Sequence, residues 1–480
     1  MKKIGLALSA VAIIAASCQK ESQILGNRNL QPLGKTTTLG NKTIGGVVNT
    51  GDTLKLWSDT TYKLDSKLYV DSGAVLWIQA GTRIEGVKKQ TPSEATAIIV
   101  TAGGRIYAMG TASKPIIMTA QTYPNATPGD WGGLVLLGNA GINQTTRQQI
   151  EGINGASVPA GIDIHYGNPG NITTDGDNSG IVQYTRIEYA GAAIAPNNEL
   201  NGLTCGGVGA GTLLTHIEVI YGADDGYEWF GGRVNGDHLI SYANNDDQFD
   251  FDFGFRGQLQ FLVGVISTSI PGITGASNLY SANPNGIESD NDASGSSLTP
   301  QTKPNISNLT LVGAKDQATA QSMHLYFGHQ WRRNTAFVVR NSIIIGYDTS
   351  VNLTSTGTIA TMNGITAGAN PWRYNVTMAF TKNMTNATAV TTIGNKDLIS
   401  ADGNLRTPGT ATTGILVNPF PTDPNALTNG LEPKWATVTT GAKFDGTASS
   451  TSGFSVVKFK GGVGNGADNW LYESWVDFTP

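Results

Sequence analysis

The acidic residues in the middle of the chain are its strongest candidates for chemistry. Residues 224–232 (DDGYEWFGG) and 246–254 (DDQFDFDFG) align with a shift of 22 positions. Side chains alternate between the two faces of a strand, so Asp250 and Asp252 are expected on one face and the neighbouring aromatic residues on the other. The same alignment places Glu228 beside Asp250. Repeated carboxylates on one surface suit either a hard divalent cation or acid–base chemistry.

A third acidic segment, residues 285–292 (NGIESDND), is expected to extend these columns. His324 follows an insertion and is the next candidate for the columns. The predicted ligand-binding residues are Glu228, Asp250, Asp252, Glu288, Asp290 and His324. The predicted metal ligands are Asp224, Asp225, Asp246, Asp247, Asp250, Asp252, Glu288 and Asp290.

Carboxylates stacked on successive strands need a compensating partner. At the strand spacing of about 4.8 Å, two carboxylates repel by about 3–4 kcal/mol at an effective dielectric constant of roughly 20. Such a column persists if it is solvated, shares protons or holds a cation. Calcium suits an extracellular site rich in oxygen ligands, so we expect calcium as the cofactor. A solvated acidic face and catalytic carboxylate pairs are the alternatives.

The sequence contains parts of several catalytic sites but identifies no catalytic residue. Glycoside hydrolysis needs two carboxylates at a set separation, and the acidic segments offer many pairs. A calcium-dependent polysaccharide lyase would also need a basic residue, and the candidates are Arg233, Arg256, Arg332 and Arg333. The alternative is that these arginines only form ion pairs with the acidic residues. The histidines lack zinc spacing, and His216 and His238 are expected to stack as a structural ladder.

The elements that position these residues are predicted to be the coils of a solenoid. A repeat of 20–25 residues is typical of solenoids, and segments such as 67–84 and 96–110 alternate short apolar runs with glycine. Because the runs have no helical period, the predicted fold is all-β, a right-handed parallel β-helix. Residues 305–313 and 338–346 are expected to be later coils. Insertions near 144–179, 267–286 and 350–430 are predicted to be loops.

Composition supports the same fold class. The 480 residues include 61 glycines, and only 14% are charged against 39% hydrophobic. Low charge with many turn-forming residues favours all-β structure. The net charge of −5 argues against nucleic acid as a partner. If Cys18 is lipidated, Cys205 has no cysteine partner, and we expect it to be a buried apolar residue without a disulfide.

The N-terminus has the layout of a lipoprotein signal peptide. Lys2 and Lys3 precede an apolar run, and small residues lead directly into Cys18. Residues 1–17 are therefore predicted to be removed, Cys18 to carry the lipid, such as palmitate, and residues 18–45 to form a flexible tether. An ordinary signal peptide that ends near a cysteine is the alternative. Gln19, Lys20 and Glu21 resemble the export tag of surface lipoproteins of Bacteroidota, which implies the outer face of the outer membrane.

The β-helix domain is predicted to span residues 46–480. Its C-terminal part, from about residue 431, is aromatic and does not repeat. An open end of a β-helix exposes unpaired strand edges, so this part is expected to cap the end of the solenoid. Tryptophans that bind carbohydrate are the alternative for this segment.

Several motifs resemble a family of secreted or lipid-anchored parallel β-helix proteins of Bacteroidota. They are GDWGGLVLLG at 129–138, DDGYEWFGG at 224–232, DFDFG at 250–254 and NGIESD at 285–290. The resemblance runs from about residue 46 to the end. It implies the fold and the cell-envelope location and carries over no catalytic residue.

Anchor, solenoid and acidic columns together lead to a functional expectation. We expect a surface lipoprotein of the outer membrane that binds an extracellular ligand, a glycan, beside an outer-membrane transporter for uptake. A calcium-dependent polysaccharide lyase or a glycoside hydrolase is the first alternative, and an adhesin or structural surface protein is the second. Binding is favoured over enzymatic activity.

Overall fold

The computed structural model describes residues 36–38, 42–195, 198–363, 371–386, 405–406, 414–444 and 453–480. Cys18 and the signal sequence lie outside these residues. Among the described residues, no helix is long and apolar enough to cross a membrane.

The described residues form 31 strands. They are β1 (Thr36–Thr38), β2 (Thr43–Val48), β3 (Thr53–Leu56), β4 (Thr61–Val70), β5 (Val75–Gln79), β6 (Arg83–Gly86), β7 (Ala97–Val100), β8 (Arg105–Met109), β9 (Ile116–Ala120), β10 (Gly133–Leu137), β11 (Gly141–Ile142), β12 (Gln148–Gln149), β13 (His165–Tyr166), β14 (Asn168–Pro169), β15 (Gly180–Glu188), β16 (Ala193–Ala195), β17 (Asn198–Glu199), β18 (Leu203–Gly206), β19 (Leu213–Ile220), β20 (Tyr227–Phe230), β21 (Asn235–Tyr242), β22 (Phe249–Asp252), β23 (Gln258–Val265), β24 (Asn285–Ser289), β25 (Asn305–Val312), β26 (Phe327–Trp331), β27 (Val338–Arg340), β28 (Ile343–Leu353), β29 (Trp372–Arg373), β30 (Val376–Met384) and β31 (Leu405–Arg406).

Helices are short and lie outside the coil strands. The α-helices are α1 (Gln317–Ser322), α2 (Thr356–Asn363), α3 (Leu427–Gly430) and α4 (Ala436–Thr439). The 3₁₀ turns are Pro92–Glu94, Gly155–Ser157, Ile172–Thr174, Ala276–Asn278, Pro424–Ala426, Gly466–Asp468 and Trp470–Tyr472.

Successive coils pair through parallel strands, which confirms the predicted parallel β-helix. Of the described strands, 25 join one continuous sheet. In the acidic region Tyr227 pairs with Phe249 and Trp229 with Phe251. The shift of 22 residues is therefore the number of residues in one coil. The pairings follow three faces around the coil. One of them, which we call face C, stacks β7, β10, β18, β20, β22, β24 and β26 in that order.

The inner side of face C forms an aromatic stack. Tyr227, Trp229, Phe249 and Phe251 are all 0% exposed, and the ring centres of Trp229 and Phe251 are 5.0 Å apart. Each such ring buries about 150–250 Å² and favours offset stacking with its neighbour. The alternation along β22 therefore turns its aromatic side chains into the core and its carboxylates outward, as predicted.

At one corner of the coil, residues with a left-handed backbone conformation lie above one another on successive coils. Tyr184, His216, His238 and Phe261 have φ values of 44°, 53°, 54° and 59°, a conformation that costs about 1–2 kcal/mol per residue without a glycine. Their rings stack on one another, with 4.3 Å between His216 and His238. The stack, which also confirms the predicted histidine ladder, offsets the backbone cost at each corner.

The insertion after β10 covers the first part of face C on its outer side. Val135 and Leu137 point outward and form a second apolar core with Ile142, Ile164 and Tyr166 of the insertion. This core ends at Phe230. The outer side of face C therefore changes from covered and apolar to acidic within the coil that contains β20.

Two predicted boundaries need correction. Strand β1 pairs with β3, and β2 begins at Thr43, so the coil starts inside the segment predicted to be a tether. Part of the segment predicted as a loop at 350–430 is also coil, because β29, β30 and β31 pair with preceding coil strands. The apolar runs in these segments are short, and the sequence repeat is too weak there to reveal them.

The C-terminal segment 453–480 lies along the flank of the solenoid and not across its end. The backbone N–H of Gly461 donates to the carbonyl of Asn341, and the hydroxyl of Ser474 donates to the carbonyl of Ala112, a contact 362 positions away in sequence. Trp475 packs edge-on against His216 at 5.6 Å. The predicted end cap is therefore a strap that covers the corner with Tyr184, His216, His238 and Phe261, which we call the histidine corner.

Candidate cation site on face C

A polar cavity of about 280 Å³ opens on the outer side of face C. Its lining contains nine carboxyl groups and a single arginine. The lining residues are Glu151, Glu199, Asp224, Asp225, Glu228, Asp246, Asp247, Asp250, Asn283, Glu288 and Arg332. Such a concentration of like charge is costly in a protein surface unless the groups are protonated or meet cations.

Strand register brings the middle carboxylates together. Glu228 pairs with Asp250, which pairs with Glu288 on the next coil. The column ends at Gln330, the partner of Glu288, whose side-chain amide donates to the Glu288 carboxylate at 2.7 Å. The predicted order of the three acids is confirmed.

A second column precedes these strands at the coil corner. Asn201 Oδ1 accepts the backbone N–H of Asp225 at 3.2 Å, and Asp225 Oδ1 accepts that of Asp247 at 2.8 Å. Asp247 Oδ1 in turn accepts the backbone N–H and the side-chain amide of Asn285. In both aspartates, Oδ1 accepts a hydrogen bond from the next coil. These bonds, which we call the corner ladder, do not involve Oδ2.

The two columns and the corner acids form three groups with metal-ligand spacing. One oxygen from each member of a group lies within 4.8 Å of one oxygen of every other member. The groups are Asp224, Asp225 and Asp246; Asp225, Glu228 and Asp250; and Asp247, Asp250 and Glu288. Oxygen ligands of this kind and number suit calcium.

Burial is the main cause that raises the pKa of eight of the cavity carboxyl groups. Repulsion adds to burial: Asp246 raises the pKa of Asp224, and Glu288 raises that of Asp250. Burial raises the pKa of Asp246 to about 6 and that of Glu151 to about 7. Without cations, the cavity therefore retains protons that ordinary carboxyl groups lose well below neutral pH.

Arg332 is the cationic side chain of the cavity lining. It forms ion pairs with Glu288 and, at 3.0 Å, with Asp290. Burial lowers the pKa of Arg332, but the two carboxylates raise it further, so it lies above its ordinary value. A proton acceptor needs a lowered pKa, so these contacts oppose a role of Arg332 as the base of a lyase.

Three predicted residues lie outside the three groups. Asp252, the last residue of β22, accepts the backbone N–H of Phe253, and Asp290 forms ion pairs with Arg332 and Arg333. His324 does not continue the columns, because Gln330 takes the position after Glu288. Its Nδ1 lies 3.0 Å from the carbonyl oxygen of Ser281 instead, since α1 and the turn after it carry His324 away from the strand.

Sequence patterns did not identify Glu151, Glu199 and Asn283 as cavity residues. Glu151 comes from the insertion after β10, Glu199 ends the hairpin of β16 and β17, and Asn283 precedes β24. None of these positions belongs to the 22-residue repeat. The sequence signal that could have identified two of them is their acidic type in segments that flank face C.

The histidine corner contains a fourth group, His216, Asp237 and His238. The two rings are stacked with an angle of 10° between their planes, so their in-plane lone pairs do not converge on one ion. Nδ1 of His216 lies 2.7 Å from Thr215 Oγ1, and Nδ1 of His238 lies 2.6 Å from Asp237 Oδ1. These contacts fit a structural ladder.

Comparison with known proteins bears on the fold of this site. The sequence model of a family described as a pectate-lyase-like β-helix domain matches residues 46–414, which include every residue of the cavity. No curated protein and no solved structure is similar enough to the chain to count as a match.

Proposed function

Since the chain belongs to the pectate-lyase-like β-helix family, we propose that it is a binding protein for extracellular glycans whose site on face C depends on a divalent cation. Membership of this family is compatible with a function that involves polysaccharides. The proposal assigns calcium to the acidic cavity and glycan to the surface around it.

The observation that carries the proposal is the ratio of nine carboxyl groups to one arginine in the cavity. Buried charges are stable when they are paired or coordinate a metal, and Arg332 is already shared between Glu288 and Asp290. Protons can neutralise part of the cavity, but near pH 7 a cation competes for the same oxygens. Calcium is the hard cation with enough ligand positions for such a cavity.

A glycoside hydrolase is the second candidate, and the pair of Glu151 and Glu228 favours it. The two carboxyl groups share a hydrogen bond, and burial raises the pKa of Glu151 to about 7. A carboxyl group that keeps its proton near neutral pH is what a general acid needs. A lyase has less support, because Arg332 is held in its charged form.

The proposal also includes attachment to the cell surface. Cys18 would carry the lipid and Lys20 and Glu21 would direct the protein to the outer face, where an outer-membrane transporter could receive the bound glycan. Incorporation of labelled palmitate tests the anchor: the Cys18→Ser protein should lose the label, and unchanged labelling would refute it.

Glycan binding is tested by screening the purified chain against a panel of neutral and acidic polysaccharides, with calcium or with chelator. We expect retention on at least one polysaccharide in calcium and its loss in chelator, without cleavage products. Products that accumulate with wild-type protein but not with Glu151→Gln would favour the hydrolase. No retention and no products under either condition would refute both candidates.

A matched pair of variants links binding to the cavity. Glu228→Gln and Asp250→Asn together keep the side-chain volumes but remove two ligands from the central group, so calcium-dependent retention should be lost. The control is Asp65→Asn, a change in an exposed residue that pairs with Lys89 on another part of the coil. Equal retention by both proteins would place the binding site elsewhere.

A further inference from the structure

The three groups of acids are linked because consecutive groups share a residue. Asp225 belongs to the first and second groups, and Asp250 belongs to the second and third. A carboxylate has two oxygens, so one residue can ligate two ions at once. The sharing therefore allows adjacent ion positions that have Asp225 or Asp250 as a common ligand.

Without bound protons, charge balance requires more than one divalent ion. A single such ion offsets two charges, whereas the lining contains nine carboxyl groups and one arginine. Two carboxylates whose oxygens lie within 4.8 Å of each other repel each other strongly in a partly buried site, where the effective dielectric constant is low. One ion in the central group would leave the outer pairs, such as Asp224 with Asp246, to be compensated by protons alone.

An independent observation comes from Asn285, which is 0% exposed. Its Oδ1 has no hydrogen-bond partner, although a buried amide oxygen without a partner destabilises the folded state. Its Nδ2 donates to Asp247 at 2.8 Å, to the carbonyl oxygen of Asn283 at 2.9 Å and to Glu288 at 3.3 Å. Asp247 and Glu288 are two members of the third group. Rotation of the amide by a half-turn would direct Oδ1 to an ion held by these two carboxylates.

Oδ2 of Asp225 is a second candidate ligand atom. Asp225 is 7% exposed, and its Oδ1 is engaged by the backbone N–H of Asp247. No donor among the described residues contacts its Oδ2. This oxygen lies on the cavity side of a side chain that is otherwise fixed.

We propose that the cavity holds a bridged set of more than one divalent cation, with Asp225 and Asp250 as the bridging carboxylates and Asn285 Oδ1 as a neutral ligand. The inference rests on the proposed cation-dependent function and specifies the composition of the same site. Bridged ions would leave open positions on the outer side, where hydroxyl or carboxylate oxygens of a glycan can bind.

The test uses Mn²⁺ as the probe, because it accepts the same oxygen ligands as calcium and is paramagnetic. Equilibrium dialysis of the full chain should give more than one ion per chain at saturation. Electron paramagnetic resonance should then show the broadened spectrum of spin-coupled ions and not the six-line spectrum of isolated Mn²⁺. Calcium should displace the signal.

Asp250→Asn should abolish the coupled spectrum and lower the stoichiometry. The matched control is Asp252→Asn on the same strand, which lies outside the three groups and should keep both. One uncoupled ion per chain in the wild type would overturn the bridged set while the cation-dependent function stands. No bound ion would overturn both.

Discussion

Glu228 and Asp250 are register partners on neighbouring coils, and one oxygen of each lies within 4.8 Å of the other and of an oxygen of Asp225. Parallel pairing at a fixed coil height makes this proximity unavoidable. Strands that only had to form the core could carry threonine or asparagine at these outward positions. The acids therefore reduce the stability of the cation-free protein, and the proposed cation binding would explain why they are tolerated.

Asp250→Asn should raise the thermal stability of the cation-free protein and lower its affinity for calcium. The amide removes a buried charge that Glu288 and Asp252 repel, so the melting temperature in chelator at pH 7.5 should rise. It also removes a ligand shared by two groups, so calcium affinity should fall at least about tenfold, which corresponds to about 1.4 kcal/mol. Calorimetry of unfolding and of calcium binding measures the two effects. A lower melting temperature with unchanged affinity would assign Asp250 a structural role.

The stability of the cation-free protein should decrease as the pH rises from 5 to 8. Burial raises the pKa of Asp246 to about 6 and of Glu151 and Glu288 to about 7. The folded state therefore binds more protons than the unfolded state, and the free energy of unfolding falls through this window. Carboxyl groups with a lowered pKa, such as Asp130 and Asp292, titrate below it. Burial lowers the pKa of His216 and His329 to about 3, which has the opposite effect up to about pH 6.5, but the cavity carboxyl groups with a raised pKa outnumber these two histidines.

Calcium should remove this dependence, because it replaces the protons on the same oxygens. The gain in melting temperature on adding calcium should be small at pH 5 and large at pH 8. Scanning calorimetry across the pH range, with chelator and with calcium, provides the measurement. A melting temperature in chelator that stays constant or rises from pH 5 to 8 would contradict the raised pKa values.

Much of the site followed from the sequence because a solenoid converts a repeat into stacking. Once Trp229 is aligned with Phe251, Glu228 must lie beside Asp250. Residues brought in by insertions follow no such rule: Glu151 reaches the cavity because the insertion after β10 packs on Val135 and Leu137, a tertiary contact without a period. His324 was misplaced because α1 intervenes between the coils.

The C-terminal strap was harder to predict for a related reason. An aromatic segment that does not repeat indicates packing, but not the surface on which it packs. Here Trp475 is placed by His216 and by the ion pair between Arg186 and Asp477 at 3.0 Å. These contacts join positions that are far apart in sequence.

Arg332→Gln should strengthen cation binding. Arg332 forms an ion pair with Glu288 and would compete there with the proposed cations. Its removal frees this carboxylate but leaves the cation-free cavity more negative. Calcium affinity should rise several-fold and the melting temperature in chelator at pH 8 should fall. Arg333→Gln is the control, because Arg333 pairs with Asp290 and is not part of the cavity lining. Weaker calcium binding in Arg332→Gln than in Arg333→Gln would refute the competition.

Trp475→Ala should release the strap from the histidine corner. Trp475 is 0% exposed and lies edge-on to His216 and stacked on Trp470, so truncation should lower the free energy of unfolding by about 3–5 kcal/mol. The control is Tyr472→Ala, which removes a side chain of the same segment that is 52% exposed and should cost about 1 kcal/mol or less. Urea denaturation gives both values, and limited proteolysis should cut the strap, residues 453–480, faster only in Trp475→Ala. Equal effects of the two variants would mean that the strap does not depend on the contact with His216.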